Sequence, residues 1–284
     1  MIAEYEAGRT PNPDVLCNKE IKFGAFWKKA KEMGADFIAT GHYARIEEKK
    51  PATPMGRLVE GKDKEKDQSY FLWTMKRSDL PHVLFPVGSM EKNEVRKLAR
   101  QYNLPVSEKK DSQGICFIGD VSMDEFLAHF ISTKSGNVLN RDEEVIGTHR
   151  GAIFYTIGER HGFDITQKKS DDGAFYILSK DMKANTITVS NKEPEITSLS
   201  PTKIMVTNIN WITEPTVSAL SARIRYRGEK LPATLFLYGK KLGIEFTSPV
   251  RGLSLGQSIV FYLSAQAGDG DICLGGAVMD KVIE

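Results

Sequence analysis

Two cysteines stand in settings suited to sulfur chemistry. Cys17 closes the run Gly8-Arg9-Thr10-Pro11-Asn12-Pro13-Asp14-Val15-Leu16-Cys17-Asn18, a loop stiffened by two prolines. Cys116 lies in Asp111-Ser112-Gln113-Gly114-Ile115-Cys116-Phe117-Ile118-Gly119, a short apolar run bracketed by glycines. A thiolate is the nucleophile in persulfide transfer, disulfide exchange and covalent catalysis, so two thiols that meet could serve any of the three. Pro11 and Pro13 fix φ at two positions and keep Thr10 and Asn12 extended, which presents Asn12 and Asp14 rigidly. Asp14 could act as an acid or base if its pKa were raised. Cys17 follows just ahead of a predicted helix, whose N-terminus favours a thiolate. The same run also fits a half-buried structural cysteine, and spacing alone leaves both readings open.

The other candidates are equally two-sided. Apolar neighbours make Cys116 an inert buried thiol, whereas its glycines with Lys109 and Lys110 make it a reactive loop thiol. Cys273 reads as a buried barrel residue. Without CxxC spacing, and with five scattered histidines, no zinc site is expected. His42, after Gly41, is a solvated loop histidine or a ligand contact. Lys66-Asp67-Gln68 is a helix start or a polar contact. Arg223-Ile224-Arg225-Tyr226-Arg227 puts arginines on one strand face and Tyr226 on the other, which suits phosphate and base contacts as well as a solvated edge.

These residues need elements to position them. Asn18 to Met33 reads as a helix capped by Asn18, with Phe23, Phe26, Trp27, Ala30 and Met33 in one apolar stripe and Gly34 as its stop. Asp36 to Thr40 reads as a buried strand ending at Gly41 and His42, where ligands of open α/β sheets collect. Residues 47 to 66 read as a surface loop, and Lys66 to Trp73 as the start of an apolar helix. Glu91 to Tyr102 is amphipathic, with Val95, Leu98, Ala99 and Tyr102 on one face. Ser122 and Glu125 form a capping box for a helix to Ile131. Beyond about residue 135 the period shortens. Residues 152–157, 174–178 and 186–189 read as strands of an antiparallel module. Residues 194–201 read as a linker. Six further runs (203–212, 217–226, 233–238, 242–246, 258–263 and 273–279) predict a small closed barrel.

A chain of 284 residues has room for two or three domains. A net charge of +2 excludes a strongly basic tail but allows a local basic face. Three cysteines do not make a disulfide scaffold and point to a reducing compartment. No segment approaches the ~18 consecutive apolar residues of a membrane span, and Met1 to Glu6 lacks the features of a secretory signal. A cytoplasmic protein without a membrane partner is expected.

Taken together, the motifs resemble those of the tRNA-specific 2-thiouridylases of the MnmA type. The matching pieces are Gly8 to Asp14 with Cys17 to Phe23, Ala39 to Arg45, Lys66 to Leu72, Leu84 to Gly88, Lys110 to Gly119, Tyr155 to Arg160, Arg225 to Arg227, Gly256 to Ser258 and Cys273 to Gly276. They run collinearly along nearly the whole chain. The resemblance implies an α/β remnant of an ATP-pyrophosphatase (Rossmann-like) domain with a helical tRNA-contacting segment over 1–122. A central β-rich domain over 123–195 and a C-terminal β-barrel over 200–284 would follow.

It also implies a tRNA-uridine 2-sulfurtransferase. ATP, with Mg2+, activates the C2 oxygen of the wobble uridine, and a persulfide sulfur from a sulfur-relay protein or cysteine desulfurase replaces it. Cys116 would carry the persulfide, Cys17 would be the second catalytic thiol and Asp14 the acid or base. Asn12, Pro13 and Asp14 would contact the target base, which must leave its stack. Gly41 would border the nucleotide. His42, Lys66, Asp67, Gln68, Arg225, Tyr226 and Gln257 would touch tRNA.

One departure is large. The family's Ser-Gly-Gly-Val-Asp-Ser-type phosphate loop is not in these residues. The resemblance therefore implies an N-terminally truncated form that is slow or inactive alone, completed by a missing segment or chain. Glu159 for Gln and Leu255 for Pro are mild departures. Two other classes remain as expectations: a non-catalytic tRNA-binding module or half of a split thiolase, and a thiol oxidoreductase that ignores RNA.

Overall fold

The computed structural model describes residues 1–47, 55–108, 123–166, 172–198, 200–264 and 270–283. Cys116, its flanking run and Ser122 lie outside the described residues.

The first helical stretch begins earlier than predicted. After α1 (Ile2–Glu6), the extended Asn12 caps α2 (Pro13–Leu16), its Oδ1 accepting from the N–H groups of Asp14 and Val15 at 3.1 Å. Pro13 occupies the first helical position, where a missing N–H costs nothing. A wide-turned segment, Cys17–Phe26, continues into α3 (Trp27–Glu32). Asn18 is thus inside the helical run, not its cap. The run breaks at Gly24 (φ −98°, ψ −105°), where a Cβ would stand 2.6 Å from the Lys19 carbonyl. The break splits the expected stripe. Phe23 and Trp27 enter the core, while Phe26 and Met33 are left 61% and 77% exposed.

β1 (Ile38–Ala39) pairs in parallel with β4 (Val83–Leu84), a small piece of α/β sheet. Between them, β2 (Ala44–Glu47) and β3 (Arg57–Glu60) form an antiparallel hairpin, whose second strand lies inside the stretch predicted as a loop. β3 is largely buried. The predicted apolar helix after Lys66 is a short 3-10 turn, Ser69–Leu72, with all four side chains buried. α4 (Lys92–Gln101) is capped by a reciprocal Glu91–Glu94 box.

α5 (Met123–Phe130) leads into a five-stranded sheet of β5 (Gly136–Leu139), β6 (Val145–His149), β7 (Phe163–Ile165), β8 (Tyr176–Asp181) and β9 (Thr186–Ser190). Its order is β7-β6-β5-β9-β8, and β5 runs parallel to β9, so the module is mixed rather than purely antiparallel. Residues 152–157 are not a strand. Gly151, at φ +138°, turns the chain into a 3-10 turn over Ala152–Phe154. The expected linker holds α6 (Glu193–Ser198), whose Pro194 falls in the tolerant first turn.

The barrel is closed, as the alternation predicts. Its staves are β10 (Lys203–Trp211), β11 (Ala219–Arg223), β12 (Leu231–Tyr238), β13 (Lys241–Phe246), β14 (Ser258–Leu263) and β15 (Ile272–Ile283). They pair in the order β10-β13-β12-β11-β14-β15, and β10 returns to β15. Ile204, Ile244, Ile259 and Phe261 fill the interior. β11 stops at Arg223, so the predicted alternation of Arg223, Arg225 and Arg227 on a strand face does not form; Arg227 lies at φ +59°.

The hairpin β2–β3 is annealed to the barrel: Val59 registers with Ile272 of β15. One hydrophobic cluster accordingly joins Phe23, Trp27, Leu58 and Trp73 to the barrel residues Val260, Tyr262 and Cys273. Cys273 is fully buried, as expected.

Candidate active site

The Asn12 cap sets the geometry of the first group. With Asn12 and Pro13 as cap and first helical residue, Asp14 and Cys17 fall one turn apart, and the Cys17 N–H reaches the Asp14 carbonyl. Asn12 spends its Oδ1 on the cap. Cys17 is 8% exposed and Asp14 is half-buried. Burial raises the Asp14 carboxyl above its ordinary range, and the Lys22 charge pulls it partly back. Asn18, 2% exposed, donates Nδ2 to the Phe71 carbonyl at 3.2 Å, while its buried Oδ1 lacks a hydrogen-bond partner.

The end of β1 forms the second group. A cleft of about 450 Å³ is lined by Ile21, Lys22, Phe26, Ile38, Ala39, Thr40, Gly41, His42 and Gln68. Ile21 and Phe26 offer an exposed apolar wall, turned outward by the break at Gly24. A Cβ on Gly41 would meet nothing within 4 Å, so the fold does not demand glycine there. The apolar wall, the bare Gly41 and the polar end at Thr40, Lys22 and Gln68 fit a nucleotide base with a phosphate beyond it.

His42 is 6% exposed and belongs to this cleft, not to open solvent. Its ring sits near Phe23 and Phe85, with centroids 6.1 and 6.0 Å away. Burial, with Lys22 adding repulsion, pulls its pKa down to about 3, so the imidazole is neutral at pH 7. Gln68 accepts from the Tyr43 N–H at 3.1 Å and closes the cleft's floor.

Asp67 does something else. It is 3% exposed, and its carboxylate accepts from the N–H groups of Gly61 and Ser69, from the Ser69 hydroxyl and from Arg223. These contacts engage the carboxylate inside the protein, and the expected tRNA contact of Asp67 is left as a proposal. Arg223 also reaches Glu60, which Lys64 and Lys230 contact as well. Burial would raise Glu60, but the hydrogen bonds from the two lysines prevail and hold it below the usual carboxylate range. Lys66 is half-buried in the turn, its N–H bonded to Asp63.

The barrel contributes the third group. Gln257 donates Nε2 to the Thr10 carbonyl at 2.8 Å, and the Thr10 N–H donates to Leu255. Thr156 of the central module donates to the Thr10 hydroxyl at 3.2 Å. Thr10 therefore joins the Asn12–Asp14 loop to both other modules, a role that sequence reading missed. Tyr226 packs on Phe71 with centroids 4.4 Å apart. Arg225 is exposed, donates to the carbonyls of Arg251 and Gly252, and lines a separate cleft of about 290 Å³ between α6, the central module and the barrel. It shares no lining residue with the first cleft. Among the described residues, no cluster of three or more His, Cys, Asp or Glu could hold a metal ion.

Comparison with known proteins agrees with this arrangement. The tRNA methyl transferase HUP domain model matches residues 1–120, the tRNA methyl transferase PRC-barrel domain model 124–191, and the aminomethyltransferase beta-barrel domain model 201–279. The tRNA-specific 2-thiouridylase MnmA of Shewanella oneidensis is 41% identical over 290 residues, covering 99% of this chain and 75% of that protein. The chain belongs to the tRNA-specific 2-thiouridylase family. The MnmA of Lysinibacillus sphaericus is likewise 41% identical, over 100% of this chain and 74% of that protein. The Yersinia pestis relative is 39% identical, over 99% and 74%. Membership gives the architecture its name: a Rossmann-like HUP domain followed by two β-rich domains.

Proposed function

We propose that this chain is a tRNA-uridine 2-sulfurtransferase that thiolates the wobble uridine at C2, using a persulfide on Cys116 supplied by a sulfur-relay protein or cysteine desulfurase. The supporting observation is the Asn12-capped turn, which puts Pro13, Asp14 and Cys17 on one rigid element. ATP supplies the activation that makes the C2 oxygen a leaving group. The apolar wall at Ile21 and Phe26, with Gly41, would hold its base, and Lys22 and Thr40 face the polar end. The phosphate-cradling loop of the family is not among these residues, and no step is assigned to it.

Asn12 and Pro13 form a rigid edge for a flipped base to lie against. Asp14, with its carboxyl raised by burial, is placed to take or return a proton. In the sulfur step, the terminal persulfide sulfur bonds to C2 as the C2–O bond breaks, the electron pair leaving on oxygen. The Cys17 thiolate then attacks the Cys116 sulfur. The old S–S bond breaks, the outer sulfur stays on the base, and a Cys17–Cys116 disulfide awaits reduction by an external thiol.

The test uses tRNA, ATP and a persulfide-charged donor protein. Cys116→Ser should lose sulfur loading while retaining tRNA, and Cys17→Ser should load sulfur but form no 2-thiouridine. A persulfide that still loads on Cys116→Ser, or undiminished thiolation by Cys17→Ser, overturns the assignment.

A further inference from the structure

Lys22, so far named only at the polar end of the cleft, also stands between the two halves of the site. It lines the cleft beside Gly41 and His42, and its Nζ lies 3.4 Å from His42 Nε2. On the other side of the ring, Nδ1 and the Thr40 hydroxyl are 2.7 Å apart. An ammonium has only donors, so Nε2 must accept, and the ring proton must sit on Nδ1 and point to Thr40. The ring is buried near Phe23 and Phe85 and cannot turn to solvent for another partner.

Lys22 is also the only cation among the nine residues lining the cleft. Asp14, on α2, feels the same ammonium as its attractive charge. Among the described residues, Lys22 from the helical run is the charge acting on both groups, while β1 and the Phe85 segment bring Thr40 and aromatic carbon to the His42 ring.

We propose that Lys22 is the positioning residue of this site: its ammonium locks His42 as the Nδ1–H tautomer and supplies the cleft's cation, which receives a phosphate group. The ligand class is a phosphate-bearing nucleotide. A neutral imidazole cannot compete for that anion, so the charge contact is left to Lys22. The anion recipient rests on the nucleotide reading given above; the tautomer lock does not.

The experiment is nitrogen-detected NMR of the His42 side chain in the wild-type chain, Lys22→Met and Lys22→Arg, with inorganic phosphate and AMP as probes. The wild type should show one neutral tautomer, protonated on Nδ1, unchanged between pH 8 and 5. In Lys22→Met, Nε2 loses its donor and the repelling charge disappears. The tautomer should become mixed and the His42 titration should move upward. Lys22→Arg, which keeps charge and donors, should restore the wild-type spectrum, a rescue that simple filling of space would not give. Both probes should bind about tenfold more weakly to Lys22→Met, the loss of one charge-assisted contact. An unchanged His42 spectrum in Lys22→Met overturns the lock. Equal probe affinity in wild type and Lys22→Met, or no binding to either, overturns the anion role. Failure of thiolation with these spectra as expected would count against the sulfurtransferase reading and leave Lys22 in place.

Discussion

At the scale of single residues, the site's chemistry follows from what each group is denied. His42 is denied water and sits beside a cation, so it stays neutral. Asp14 is partly denied water and its carboxyl rises. Gly41 is denied a side chain in a place where the fold would permit one. Gly41→Val should therefore leave the unfolding free energy from urea titration within about 0.5 kcal/mol of wild type, as surface changes usually do, while filling the cleft and lowering AMP affinity. Equal affinity in a folded Gly41→Val would show that the cleft is not where the nucleotide lies. The motif around Cys17 announced Asp14 in the sequence, and the Ala39 to Arg45 motif announced Gly41 and His42. Lys22 lay inside the Cys17 to Phe23 motif but drew no role of its own, because its importance depends on where the strand end brings His42.

Among the elements, the helical run from Pro13 to Glu32 matters most. Its start was misread because two prolines resemble a loop, although Asn-Pro is also the cap and first residue of a helix. Asn12→Ala should cost about 1 kcal/mol of stability by thermal or urea unfolding, a typical loss for such a cap. Its effect on thiolation should be larger than that loss explains, because the capped turn also aims Asp14 and Cys17. The six barrel staves were legible as short apolar runs: β11 alternates in burial, whereas β14 and the first half of β15 are buried on both faces and read as continuous apolar stretches. The mixed central sheet was not, since the β5–β9 pairing joins distant segments and leaves no local mark. Residues 152–157 alternate like a strand, but Gly151 at φ +138° redirects them.

Across the whole molecule, a charge cluster and one threonine hold the modules in register. Glu60 and Asp67 come from the first domain, and Arg223 and Lys230 from the barrel, all with side chains no more than 24% exposed. Breaking a buried network at one member strands the others. Arg223→Met should lose about 3–5 kcal/mol, read from urea unfolding, because Asp67 forfeits its only salt-bridge partner found among the described residues. A loss below ~1 kcal/mol would mean that water already screens the cluster. None of this was legible beforehand. Asp67 reads as a polar surface residue until the barrel closes over it.

The annealed hairpin has a consequence for synthesis. β15 leaves the ribosome long after β2 and β3, yet it supplies the edge on which Val59 rests. The earliest domain must wait, with a bare strand edge, until translation reaches the last stave. During that interval a chaperone has a defined target, and a message cut short before β15 should yield an aggregating product rather than a folded half.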